Sequence, residues 1–164
     1  AMSETLKNAK AFFNNPPDLG EAIRKVIDEN AGYKKEIESF VQEKVARLAE
    51  KISKEAKEIN GIKVVEFTQS MDPVMAKGVA GLLQKQTENF VLAAAFEYAE
   101  KPNLVLMYSQ DLVAKGKNAG KDIREAAKFI LGGGGGQPGL ATAGGKNVAG
   151  LKDALAKLVE LATA

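Results

Sequence analysis

The residues of this sequence best suited to chemistry lie near its end, in GGGGGQPGLATAGG (Gly132–Gly145). Five consecutive glycines lose more conformational entropy on ordering than an ordinary run of the same length. Such a run is kept where backbone must approach another group closely or adopt positive φ. Bare backbone also presents N–H groups that can line an anion-binding concavity. A helix expected to begin near Asn147 would set its positive dipole end beside this loop, with Lys146 just before it. Gly132, Gly133, Gly134, Gly135, Gly136, Gln137, Lys146 and Asn147 are therefore candidate phosphate-contacting residues.

A second group leads into the glycines. Lys117, Lys121, Arg124 and Lys128 are spaced 4, 3 and 4 apart, which places them on one face of a predicted helix opposite Ile123, Ala127 and Ile130. Four cations in such a stripe suit a nucleic-acid backbone. Phe90, Phe96 and Tyr98 read as core, so stacking on unpaired bases is not expected, and a reader of backbone and shape is. The chain as a whole is almost neutral, with 23 basic and 21 acidic residues. Between Lys115 and Lys152, however, seven basic residues face two acidic ones, a local excess of +5.

The residues that are missing exclude several functions. With no Cys and no His there is no Cys/His zinc site, no Ser-His-Asp triad, no thiol nucleophile and no disulfide. A site of carboxylates alone, for Mg²⁺ or for acid–base chemistry, stays open. GLATAGGKN ends in Gly-Lys but fails as a Walker A loop: its spacing is one residue too long, and Asn147 stands where Ser or Thr should ligate Mg²⁺. No strand feeds a G-x-G-x-x-G turn, which removes a dinucleotide fingerprint. No run of about 18 apolar residues could span a membrane, and AMSETLKNAK lacks the layout of a secretory signal, so the cytoplasm is the expected address. Ala1 ahead of Met2 reads as a cloning remnant and leads us to expect an excised piece of a longer chain.

The elements that must position these residues are an N-terminal helical arm and a small α/β (α+β) domain, a mixed sheet covered by helices. We place the arm at residues 1–60 and the globular part at 61–164. Ser3 caps a short helix that ends before Asn14-Asn15-Pro16-Pro17, and Asp18 opens a second. Gly32 is expected to separate that helix from a long one, Tyr33 to Asn60, stopped by Gly61 and reaching roughly 40 Å. In it Val45, Leu48, Ile52 and Ile59 fit a heptad that Glu55 interrupts. Ile62–Thr68 reads as a strand and Asp72-Pro73 as the start of a helix to about Asn89. Phe90–Tyr98 and Leu104–Ser109 read as a hairpin turning at Lys101-Pro102-Asn103. The first of these strands is apolar on both faces, so helices must cover both. A helix from Asn118 or Ala119 to Leu131 and a final one, Asn147–Ala162, flank the glycine segment.

GGGGGQPGLATAGGKNVAGLKDAL (Gly132–Leu155) resembles the glycine-rich signature of the DHHA1-type domain that closes alanyl-tRNA synthetase. That pattern is a glycine run, one residue, proline, a short stretch of small residues, then Ala-Gly-Gly and an amphipathic helix. Proline is often followed by Asp in the family, where this chain has Gly139. The order of the preceding elements is similar as well.

The resemblance implies a C-terminal fragment of an alanine–tRNA ligase that binds the elbow of alanine-accepting tRNA and supports aminoacylation and editing. Its partners would be that tRNA, the aminoacylation and editing domains of the same chain, and a second copy through the helical arm. The parent enzyme would use ATP, Mg²⁺ and Zn²⁺, with no cofactor or catalytic site in this segment. Two other readings stand beside it. One is the DHHA1-type domain of a DHH phosphoesterase, whose glycine motif grips single-stranded nucleic acid or a nucleotide; there a histidine follows the glycines, and here Gln137 does. The other is a helical protein–protein module.

Overall fold

The structure, a computed structural model, describes residues 3–164; Ala1, read above as a cloning remnant, and Met2 lie outside the described residues. The chain divides into two compact units, one ending at Glu43 and one beginning at Lys44.

The first unit is helical. Helix α1 (Glu4–Phe12) starts at Ser3, whose side chain accepts the Leu6 N–H at 3.2 Å. It stops where Asn14 and Asn15 turn left-handed ahead of the two prolines. Helix α2 (Leu19–Ser53) begins at Asp18, whose carboxylate accepts the Glu21 N–H at 3.0 Å. It runs unbroken through Gly32, so the two helices expected there are one. A glycine inside a helix costs only about 1 kcal/mol, which good helix formers such as Ala31, Lys34, Lys35 and Glu36 outweigh. Within the first unit no described residue is buried, and Ile23, Val26, Tyr33, Ile37 and Phe40 are all exposed.

The helix ends at Ser53, not Asn60. Strand β1 (Lys57–Ile59) pairs antiparallel with β2 (Ile62–Phe67), joined by Asn60 and Gly61 with φ of 51° and 81°. Two consecutive positive φ values make the tight turn that Asn-Gly favours. Gly61 is thus the second residue of a hairpin turn, not a helix stop.

Helix α3 (Pro73–Gln86) then crosses over to β3 (Phe90–Tyr98), which lies parallel to β2. It starts at Asp72, whose carboxylate accepts the Val74 N–H at 2.8 Å. Strand β4 (Lys101–Tyr108) returns antiparallel, turning at Ala99 and Glu100 with φ of 50° and 65°. The expected turn residues Lys101, Pro102 and Asn103 belong to β4 itself. Pro102 fits there because it sits opposite Glu97 at a position where alternation points its missing N–H away from β3. A short helix α4 (Gln110–Ala114), not anticipated from the sequence, leads to α5 (Ala119–Ala127). After a 3₁₀ turn (Lys128–Ile130) come β5 (Gly133–Gly136), β6 (Leu140–Gly144), a second 3₁₀ turn (Val148–Gly150) and α6 (Leu151–Thr163).

The six strands form one mixed sheet in the order β1-β2-β3-β4-β6-β5, giving an α+β fold. Its two central strands are apolar on both faces, as their sequence requires. Val91, Ala93, Leu104 and Leu106 pack under α5 and α6. Phe90, Leu92, Phe96 and Met107 pack under α3 and the last turns of α2, where Ala49 and Ile52 are buried. Tyr98, read as core, is 40 % exposed, with its hydroxyl 3.4 Å from Asp72. It lies at the strand's end, beyond the cover of the core.

The start of β3 is fixed by polar groups. Asp111 accepts the Asn89 N–H at 3.0 Å on each oxygen, and the Ser109 hydroxyl accepts the Phe90 N–H at 3.0 Å. The hydrogen bond from Ser109 holds the Asp111 carboxyl below the usual carboxylate range, helped by the Asn89 N–H and opposed by desolvation. Its folded pKa is therefore the lower one, so its stabilisation is present above the ordinary carboxylate value and is lost as pH falls through the folded value. We expect Asp111→Asn to flatten the acid limb of stability against pH, measured by urea unfolding at pH 2 to 7. Parallel acid limbs in the two proteins would contradict this.

Candidate nucleic-acid interface

The glycine run is a strand rather than a loop between helices. Gly133–Gly136 forms β5, the outer strand of the sheet, paired with β6 from Gly133↔Gly144 to Gly136↔Ala141. Glycine has low strand propensity and five glycines carry no alternation, so nothing local marks the strand; its partner's Leu-Ala-Thr-Ala pattern does. The hairpin tip is pinned by its carbonyls. Pro138 accepts the Ala119 N–H at 2.7 Å, at the start of α5, and Gly139 accepts the Tyr108 N–H at 2.9 Å.

The glycines differ in what they are for. A Cβ on Gly132 would run into the Gly144 carbonyl, and one on Gly134 into the Thr142 carbonyl, 2.5 Å from the Ala143 Cβ. On Gly136 it would lie 2.5 Å from the Leu140 carbonyl oxygen. Gly145 and Gly150 press against the carbonyls of Ile130 and Phe129. These five are required by internal packing. A Cβ on Gly133 would meet nothing, and one on Gly135 only the Arg124 side chain, at 3.5 Å.

The basic residues are distributed as follows. Helix α5 starts at Asn118, whose side chain accepts the Lys121 N–H at 3.0 Å, and buries Ile123, Ala126 and Ala127. Lys121 and Arg124 are exposed, and the Arg124 guanidinium lies over Gly135. The helix is tied to the sheet by the Tyr108 hydroxyl, which donates to Asp122 at 2.6 Å. Burial, reinforced by that carboxylate, pushes the phenol far above its ordinary value, so it remains a donor. Lys128 sits in the 3₁₀ turn and pairs with Glu125 at 3.2 Å in solvent. Lys117 precedes the helix and donates to the Leu161 and Ala164 carbonyls at 3.0 and 3.3 Å, at the end of α6. The α6 end of the site is also partly engaged. The Lys146 and Asn147 N–H groups both donate to the Ile130 carbonyl at 2.9 Å, and the Asn147 amide donates to Phe129 at 3.1 Å. The Lys146 side chain is exposed, as is Gln137 at the hairpin.

Two shallow cavities flank the hairpin. One, of about 530 Å³, is lined by Gly133, Gly135, Thr142, Asn103, Val74 and Lys77 among others. The other, of about 570 Å³, is lined by Lys101, Lys146, Leu131, Gly132, Gly144 and Gly145 among others. Lys77 and Lys101 come from elements remote in sequence, and only the fold brings them to the glycines. Among the described residues no group of three or more His, Cys, Asp or Glu is placed to hold a metal ion. Nor is any helix among the described residues long and apolar enough to cross a membrane.

Known proteins share both the sequence and the fold. The DHHA1 domain family matches residues 59–164. An alanine–tRNA ligase of Bacteroides fragilis is 52% identical over 162 residues, covering 98% of this chain and 19% of its own length. That of Porphyromonas gingivalis is 39% identical over 161 residues, covering 95% of this chain and 18% of its own. The chain thus spans about a fifth of the length of the curated relatives it matches. Among solved structures, the C-Ala domain of Aquifex aeolicus alanyl-tRNA synthetase aligns with a TM-score of 0.58 and 27% identity, over 66% of this chain and 98% of that one. The DHH domain of a member of a ribosomal-protein family aligns with a TM-score of 0.53 at 13% identity, over 79% of this chain and 32% of that one, a likeness of fold alone.

The packing role of Gly145 is testable directly. Gly145→Ala should lower stability by roughly 1–3 kcal/mol, because its methyl group meets backbone that cannot rotate away. Thermal unfolding at neutral pH measures this, and an unchanged midpoint would contradict it.

Proposed function

This chain belongs to the DHHA1 domain family, and from that premise we propose that it is the C-terminal, tRNA-binding part of an alanine–tRNA ligase. The observation that carries the proposal is 52% identity to such a ligase along 98% of the chain. In this reading the hairpin and α5 hold the elbow of alanine-accepting tRNA, so that aminoacylation and editing domains elsewhere in the longer protein engage the same molecule. Lys121 and Arg124 contact phosphate directly, Lys128 and Lys146 add to the local potential, and Gln137 and Asn147 contribute polar contacts. Lys117 contributes by anchoring α5 to α6. Gly132, Gly133, Gly134, Gly135 and Gly136 supply close-approach backbone. The ATP, Mg²⁺ and Zn²⁺ of the parent reaction belong to those other domains, since no His or Cys is available here as a zinc ligand. The working compartment is the cytoplasm, where translation supplies the tRNA.

A second role is favoured by the exposed seam of α2. Ile23, Val26, Asn30, Tyr33, Ile37 and Phe40 follow a 3-4 spacing, and the apolar members are 38–62 % exposed. This is the a/d pattern of a two-stranded coiled coil, with Asn30 at an a position where a single polar residue sets register and strand number. We propose that this seam pairs two copies of the chain.

The chain should shift folded tRNA in preference to unstructured RNA in a gel assay, with affinity falling steeply as salt rises. Lys121→Glu with Arg124→Glu should weaken that binding at least tenfold without changing the circular dichroism spectrum; binding that survives makes these residues an ordinary solvated face. In sedimentation equilibrium the chain should be a dimer that Ile37→Lys converts to monomer. A concentration-independent monomer would sink the pairing.

A further inference from the structure

Of the five glycines in Gly132–Gly136, Gly132, Gly134 and Gly136 are explained by contacts inside the molecule. Gly133 and Gly135 are not. Neither has a φ in the left-handed region, and neither would strike backbone with a Cβ. A β-branched residue at such edge positions would favour the strand, while glycine adds backbone entropy to the unfolded chain and weakens it. The fold therefore loses stability at two positions and gains nothing internal in return.

What the two glycines share is a direction. Gly135 pairs with Thr142, which pairs with Val105, and Val105 belongs to the core on the α3 side of the sheet. Gly133, two residues away on the same strand, takes the same face. Both are thus the floor of the 530 Å³ cavity, whose wall is the first turn of α3 with Val74 and Lys77. Lys77 is exposed and, like Arg124, makes no ion pair among the described residues. Gln137 and Leu140 exchange both hydrogen bonds, so alternation turns the Gly134 N–H outward along the sheet's edge. A bare floor beside two unpaired cations and an outward N–H is complementary to a polyanion that must come within backbone distance.

We infer that an RNA sugar–phosphate strand lies in this trough, against Gly133 and Gly135, with Lys77 contacting phosphate from the α3 wall and Arg124 from the opposite edge. The inference rests on the RNA-binding reading above and adds to it a track and a contact, Lys77, that lie off the α5 face.

Fluorescence anisotropy of labelled tRNA with the full chain tests it, using Gly133→Val and Lys77→Glu. Gly133→Val should give a thermal midpoint at or above that of the wild type and weaken binding at least tenfold. Lys77→Glu, a change at an exposed helical position, should weaken binding and reduce the slope of log affinity against log salt by about one. Wild-type binding with both variants unchanged overturns this inference alone. Failure of the wild-type chain to bind tRNA overturns the RNA reading and the inference with it.

Discussion

The C-terminal third of the molecule is held by backbone that touches backbone. Gly145 and Gly150 lie where a methyl group would strike the carbonyls of Ile130 and Phe129. The contact is matched by hydrogen bonds, since Ile130 accepts from Lys146 and Asn147, and Phe129 from the Asn147 side chain. The 3₁₀ turn after α5 is therefore clamped to the turn before α6. With that junction closed, Gly132 can enter the sheet beside Gly144 and the hairpin can fold back over α5. The candidate contact residues from Gly132 to Asn147 flank this closure, whereas Lys121 and Arg124 ride on α5, which Tyr108 ties to the sheet through Asp122. A fold that stabilises itself through main-chain contacts keeps those positions rigid without bulky side chains, and so leaves the surface of β5 free for a partner.

That economy has a counterpart in the charges. Helical spacing alone puts four cations on one face, and the fold uses them unequally. Lys117 is drawn to the carbonyls ending α6, and Lys128 faces Glu125 in solvent, a pair of little energetic weight. Lys121 and Arg124 are left to act outward, Arg124 directly over Gly135. Lys77 joins them from α3. A net charge of +2 over the whole chain hides this, because a field falls off within about 8–10 Å in physiological salt, so that only the nearest charges matter to a docked phosphate.

How much of this is legible in the sequence varies with the range of the interaction that decides it. Caps are legible because they are local: Ser3, Asp18, Asp72 and Asn118 all accept the N–H their types suggest. The covered sheet is legible because Phe90–Phe96 is apolar at every step. Asn60-Gly61 passes for a helix stop because a lone glycine after a helical pattern and the turn of a short hairpin share one local signal. The strand character of Gly133–Gly136 is not legible at all, since register against β6 confers it and glycine carries no pattern of its own. Lys77 is out of reach for the same reason, lying 56 residues before Gly133 and joined to it only by the sheet.

The division among the glycines bears on what such a surface can recognise. Direct reading of bases needs side chains whose donors and acceptors match base edges, held at fixed positions. Gly133 and Gly135 have no side chains, and under the proposed function the cations beside them would meet phosphates as charges. In the proposed reading, discrimination must then come from where the phosphates are, that is, from the shape into which the RNA is folded. A tRNA elbow has such a shape whatever the sequence of its stems. A bare strand at a sheet edge, braced from behind by its own packing, is a physically sufficient reader for it.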